Sequence, residues 1–313
     1  MRIWVFPVVV AVLALVGPAA ANTAGLMPVT FDSEDARSHT VTIAGSRIEV
    51  YFDDLAFNEQ RQRFLDWIGA SAQAVTHYYG RFPVDRVSLS LIGHNGGGVS
   101  GGRQFSGNLP VLNVTVGTLA SEEELRDDWI MVHEMVHLAL ADLPQKNRWL
   151  EEGLAVYVES VARAQVGHLD EDFVWRGFLR SMHQGMPKSG DRGLDRTPTW
   201  GRTYWGGAIF CLLADIEIRQ RTDNRHSLRD ALRGIVNAGM TTRVDGFAEP
   251  VLAVGDAAVG VDVLVPMYRK MSEDPTTPSL DTLWKKLGVA LEGHDVVYDD
   301  TAALAHIRQA LLR

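Results

Sequence analysis

Cysteine is nearly missing from this sequence: Cys211 is the only one in 313 residues. A single thiol cannot close an internal disulfide, and the surrounding run Ala208-Ile209-Phe210-Cys211-Leu212-Leu213 marks it as a small core residue. Basic clusters are missing too. Lys and Arg total 30 against 39 Asp and Glu, a formal net charge of −9, which argues against nucleic acid or anionic lipid as a partner. There is no internal repeat, and low complexity is confined to one glycine cluster. After the first 21 residues no apolar stretch approaches the roughly 20 residues of a membrane span.

Those first 21 residues read as a secretory signal peptide. Arg2 supplies the positive start, Ile3 to Val16 the apolar run, and Ala19-Ala20-Ala21 a small-residue cleavage site before Asn22. The apolar run is short for a span, which disfavours an uncleaved membrane anchor. No lipobox-like cysteine follows, so no stable membrane insertion is expected after cleavage. The remaining chain would carry a net charge of −10, because Arg2 leaves with the peptide. Export without disulfides fits a bacterial periplasmic or secreted protein, where the sequon Asn113-Val114-Thr115 carries no meaning.

Against that background one stretch carries chemistry. His133-Glu134-Met135-Val136-His137 is an H-E-x-x-H sequence, which places two imidazoles about 5–6 Å apart on one face of a helix. Glu134 sits about 100° round the axis from His133, close enough to act on a metal-activated water without being a ligand. Composition alone yields such a match in roughly one chain in 70, so its surroundings must decide. Ile130, Met131, Val132, Met135, Val136, Leu138 and Leu140 make the segment apolar nearly all round, the mark of a buried helix. Two histidines and a carboxylate are costly there unless something pairs with them, and a metal ion is the most economical partner. A single helix is expected over 121–141, opened by a Ser121/Glu124 capping box and stopped by Pro144.

The wider pattern puts strands first and helices later, an α+β layout. A hairpin is expected over 40–53, a helix over 57–79, and strands at 86–92 and 109–116. Helices are then expected at 149–164, 171–184, 203–220, 226–238 and 300–312. This divides the exported chain into an N-terminal α/β lobe, 22–170, with the zinc-binding helices, and a mainly helical C-terminal lobe, 171–313. The cluster Gly96-Gly97-Gly98-Val99-Ser100-Gly101-Gly102 lacks the Lys-Ser/Thr of a phosphate cradle. It reads either as a flexible hairpin tip or as the lead into an edge strand that an extended peptide could join. The loop from Gly185 to Gly201 is too long for an ordinary connection and is expected to border the cleft.

Catalytic zinc takes three protein ligands and keeps one open position. The helix over 149–164 offers Glu151, Glu152 and Glu159. Its apolar stripe is Leu150, Leu154, Tyr157, Val158 and Val161, with Glu152 and Glu159 opposite and Glu151 on the flank. The wheel does not choose among them, since a face opposite an apolar stripe is commonly just solvated.

Taken together, His133-Glu134-x-x-His137 and Trp149-Leu150-Glu151-Glu152-Gly153-Leu154-Ala155 resemble the gluzincin zinc metallopeptidases of the peptidase MA-like superfamily. The resemblance spans roughly residues 85–220 and implies a zincin-like, two-lobed fold: an N-terminal mixed sheet with active-site helices, then a helical lobe. It puts the third zinc ligand on the Glu before Gly, which is Glu152. The gap from His137 is shorter than usual in the aminopeptidase branch, which keeps Glu151 open as an alternative. Tyr204-Trp205-Gly206-Gly207 resembles the family's Tyr-x-x-Gly element, implying that Tyr204 donates to the tetrahedral intermediate. That region and Leu283-Trp284-Lys285-Lys286-Leu287-Gly288 are most similar to glycyl aminopeptidase-like proteins. An acid that holds a substrate's free amine in gluzincin aminopeptidases has no counterpart, because Gly101-Gly102-Arg103-Gln104-Phe105 stands in its approximate place.

The expected activity is zinc-dependent hydrolysis of peptide bonds in a peptide or protein substrate. His133, His137 and Glu152 hold the metal, Glu134 is the general base, and Tyr204 stabilises the oxyanion. Glu159 is a candidate to orient a histidine. The competing expectation is a catalytically inactive zinc protein that binds peptides or envelope components. Whether a peptidase would cut internally or from the N-terminus stays open at this level.

Overall fold

Strand β1 (Val29–Ser33), β2 (Ser38–Ile43) and β3 (Ser46–Phe52) form an antiparallel meander. The computed structural model describes residues 26–33, 35, 37–275 and 279–313. The signal-peptide expectation therefore lies outside the described residues. Among the described residues, no helix is long and apolar enough to cross a membrane. The β2–β3 turn falls on Ala44 and Gly45, both at positive φ (48° and 84°), as a tight two-residue hairpin turn requires.

Helix α1 (Arg61–Tyr79) carries the chain over the sheet so that β4 (Arg86–His94) lies parallel to β3. Next come β5 (Val99–Phe105) and β6 (Val111–Gly117), giving the sheet order β1-β2-β3-β4-β6-β5. Alternation sets the faces: Val87, Leu89 and Leu91 of β4 and Leu112, Val114 and Val116 of β6 are buried, while the residues between them are more exposed. The glycine cluster does lead into an edge strand, β5, which lies antiparallel to β6.

The helix expected over 121–141 is two helices, α2 (Glu122–Asp127) and α3 (Ile130–Val136). The Ser121/Glu124 capping box is present, but it opens only α2. Asp128 turns extended, and its carboxylate accepts the N–H groups of Ile130 and Met131 at 2.9 and 3.0 Å. A short Asp side chain competes with the helical ladder in this way and starts a new helix instead. A 3₁₀ turn at His137–Ala139 follows, and Leu140 is extended, so the helix ends ahead of Pro144.

The helical part comprises α4 (Arg148–Gln165), α5 (Glu171–Ser181), α6 (Gly207–Arg221), α7 (Leu228–Asn237), α8 (Ala248–Val259), α9 (Leu264–Glu273), α10 (Leu280–Leu287) and α11 (Ala305–Leu311). A small hairpin, β7 (Val289–Glu292) with β8 (Asp295–Tyr298), lies between the last two. Helices α8 and α9 escape sequence reading because each has a proline in its first turn, Pro250 and Pro266. There the missing N–H has no intrahelical partner to lose.

The strand-rich and helical lobes meet along α4, which packs on α1 and α3 and also on α6. Contact with α6 is backbone to backbone: a Cβ on Gly153 would fall 2.2 Å from Gly207. That explains in packing terms why a glycine follows Glu152 and why Gly207 opens α6.

Candidate metal centre

A cleft of about 1030 Å³ runs between edge strand β5 and helices α3 and α4. His133 and Glu134 enter it from α3, His137 from the 3₁₀ turn that continues α3, and Glu152 from the second turn of α4. Nε2 of His133 lies 3.2 Å from Oε2 of Glu152, and Nε2 of His137 lies 3.6 Å from the same oxygen. One donor atom from each of the three residues falls within 4.8 Å of the others. His133 is 4% exposed and Glu152 7% exposed.

The donor set fits zinc. Bonds of 2.0–2.2 Å in tetrahedral geometry put neighbouring ligand atoms about 3.4 Å apart, and the separations of 3.2 and 3.6 Å bracket that value. Charge fits as well. Burial works to raise the Glu152 pKa, but hydrogen bonds and charge interactions with His133 and His137 hold it far below the usual carboxylate range. Burial disfavours a charged His137, yet the Glu152 carboxylate raises its pKa. Two buried donors and one half-buried donor that together favour a positive charge are the environment a divalent cation needs.

Glu134 is 7% exposed. Burial raises its pKa, offset in part by His137 and His133 and by the backbone N–H of Gln104, which donates to it. Edge strand β5 passes so close to α3 that a Cβ on Gly102 would sit 2.5 Å from Cγ of Glu134. The last glycine of the cluster thus admits the edge strand to the cleft wall.

The other expectations separate cleanly. Glu151 lies outside the cluster of donor atoms and accepts the backbone N–H of Leu143 at 3.1 Å. Glu159 is buried, not solvated, but it pairs with Arg163 at 2.7 Å and accepts from Ser160 instead of meeting a histidine. Tyr204 lines the cleft from a π-helical turn, Arg202–Gly206, that precedes α6. Its pKa is raised by burial and by the charge of Glu152, which keeps the phenol a donor. The 185–201 loop does not line the cleft. It folds onto the start of α4, where Asp195 accepts from Asn147 and Trp149, and only Trp200, stacked on Tyr204 at 5.8 Å, approaches the site.

Two participants escaped sequence reading. Trp129 stands edge-on to His133 at 5.2 Å, and Arg148 donates to Oε1 of Glu152 through Nε at 3.1 Å and Nη2 at 3.0 Å. The second had a sequence signal: an arginine four residues before the glutamate of the Glu-Gly pair.

No protein-family model and no curated protein matches this sequence. Solved structures do. An aminopeptidase N family protein from Idiomarina loihiensis superposes with a TM-score of 0.62 over 84% of this chain and 50% of its own, at 11% identity. This chain has a gluzincin peptidase-like fold. An M1 zinc metallopeptidase from Deinococcus radiodurans is also similar, with a TM-score of 0.48, 15% identity, and coverage of 81% of this chain and 54% of the other. The chain spans about half the length of either protein. Within the gluzincin-like fold the His133, His137 and Glu152 cluster fits Zn²⁺, and the zincin-like, two-lobed α+β architecture expected from sequence is the one observed.

Proposed function

We propose that this chain is a zinc-dependent peptidase with His133, His137 and Glu152 as metal ligands. The observation that carries the reading is the convergence of these three side chains in a cleft that also holds a buried carboxylate, Glu134, on the helix that carries His133. Zinc, when bound, lowers the pKa of water toward neutrality and polarises a carbonyl. Glu134 takes the proton from the attacking water and passes it to the leaving amine, a role its burial favours by bringing its pKa closer to neutrality. Tyr204 donates to the developing oxyanion, a contribution on the order of 10²–10³ in rate for donors of this kind. Edge strand β5 receives an extended peptide by strand addition. Its residues Val99–Phe105 include no acid to grip a free amine, which supports internal cleavage over N-terminal trimming. The signal-like first 21 residues support export to the periplasm or medium.

The test is a diverse peptide mixture incubated with the zinc-loaded protein and its Glu134→Gln variant, with cleaved bonds mapped by mass spectrometry. Internal cuts made only by the unsubstituted protein, with at least a 10²-fold loss in the variant, are expected. Stepwise loss of N-terminal residues would replace the endopeptidase reading with an aminopeptidase. No cleavage at all would favour a zinc protein that binds peptides without cutting them.

A further inference from the structure

Arg148 stands where helix energetics disfavour an arginine. It is the first residue of α4, where the aligned peptide dipoles disfavour a cation. Its partner Glu152 lies four residues later, and cation-before-anion is the weaker order for such a pair. Asn147, the preceding residue, provides no side-chain cap. Core packing does not explain it either, since 53% of its side chain is exposed. A residue that breaks several local rules at once is a candidate for function.

Its contacts supply the reason. Both donor bonds from Arg148 go to one oxygen of Glu152, Oε1, while the other oxygen, Oε2, faces His133 and His137. Tyr204 lines the same cleft and interacts electrostatically with the guanidinium.

We propose that Arg148 is a positioning residue that holds the outer oxygen of Glu152, so that the carboxylate offers a single oxygen to the metal. This rests on the reading of Glu152 as a ligand. An unrestrained carboxylate turns about its last bond and can present either oxygen or both. A planar, charge-assisted hold on one oxygen fixes that rotation, and a lysine ammonium cannot reproduce it. Outer contacts of this kind typically contribute 10–100-fold to metal affinity.

The experiment uses the full chain stripped of metal, with Arg148→Ala, Arg148→Lys and Glu152→Gln variants. Each is titrated with Co²⁺, followed by its visible spectrum, and with Zn²⁺ against a competing chelator. Melting temperature is recorded without metal. Arg148→Ala is expected to lose about 10–100-fold in affinity and to change the cobalt band envelope, with its metal-free melting temperature unchanged. Arg148→Lys should recover only part of the loss. Unaltered affinity and spectrum in Arg148→Ala, alongside a large loss in Glu152→Gln, would overturn the role of Arg148 while leaving the ligand reading intact. A fall in metal-free melting temperature that accounts for the weakened binding would also overturn it. Unaltered binding by Glu152→Gln would remove the ligand reading itself, and the positioning role with it.

Discussion

Helix α3 is seven residues long and buried on every side, whereas α4 runs for eighteen and has one long apolar stripe. Both send side chains into the same cleft. In α3 the polar groups stand out, because nothing else in Ile130–Val136 is charged. In α4 they are camouflaged. Glu152, Glu159 and Arg163 lie away from the apolar stripe, where solvent-facing residues belong, yet all three are buried. The cover comes from outside the helix: Arg163 donates to the carbonyl oxygen of Arg126 in α2, and Glu152 lies against the histidines of the α3 segment. A helical wheel reports which face is apolar. It does not report whether a second element covers the polar one.

The largest effect that would break this comparison comes from opening the covered face of α4. Arg163→Ala leaves the Glu159 carboxylate buried and unpaired, and denaturant unfolding should show a loss of about 3–5 kcal/mol. A loss below 1 kcal/mol would mean that water reaches this face and that α4 is an ordinary amphipathic helix. Gly153→Ala comes next. Its Cβ would fall 2.2 Å from the Gly207 backbone, so α4 and α6 must separate at an expected cost of about 1–3 kcal/mol. Unchanged stability would show that the helix contact is looser than it stands. The smallest effect lies on the α3 side. Asp128→Ala removes the acceptor for two N–H groups at the helix start, and about 1 kcal/mol should be lost in the same assay. If the loss matched that of Arg163→Ala, the short helix would depend on its cap and not on burial all round.

Glu151 and Glu152 make the same point over a shorter distance. One residue apart on one helix, they point about 100° from each other; one accepts from Leu143 and the other faces two imidazoles. Composition and burial pattern did not separate them. The glycine after Glu152 was the local signal, and its physical basis, the close approach of α6, lies more than fifty residues away in sequence.

Sequence alone determined what depends on neighbours along the chain. The H-E-x-x-H spacing puts two imidazoles within reach of one another, because a helix brings residues four apart together. Alternating valine and leucine in β4 and β6 define a buried sheet face through the two-residue period of a strand. Strands before helices set the class. Tertiary structure decided the rest: the break between α2 and α3 at Asp128, the choice of Glu152 over Glu151 beside the histidines, and the pairing of Glu159 with Arg163. It also brought Tyr204 into the cleft that Arg148 lines. Periodicity is local and can be read from a few consecutive residues. Burial of a polar face depends on elements that arrive from elsewhere in the chain, and no window on the helix itself contains them.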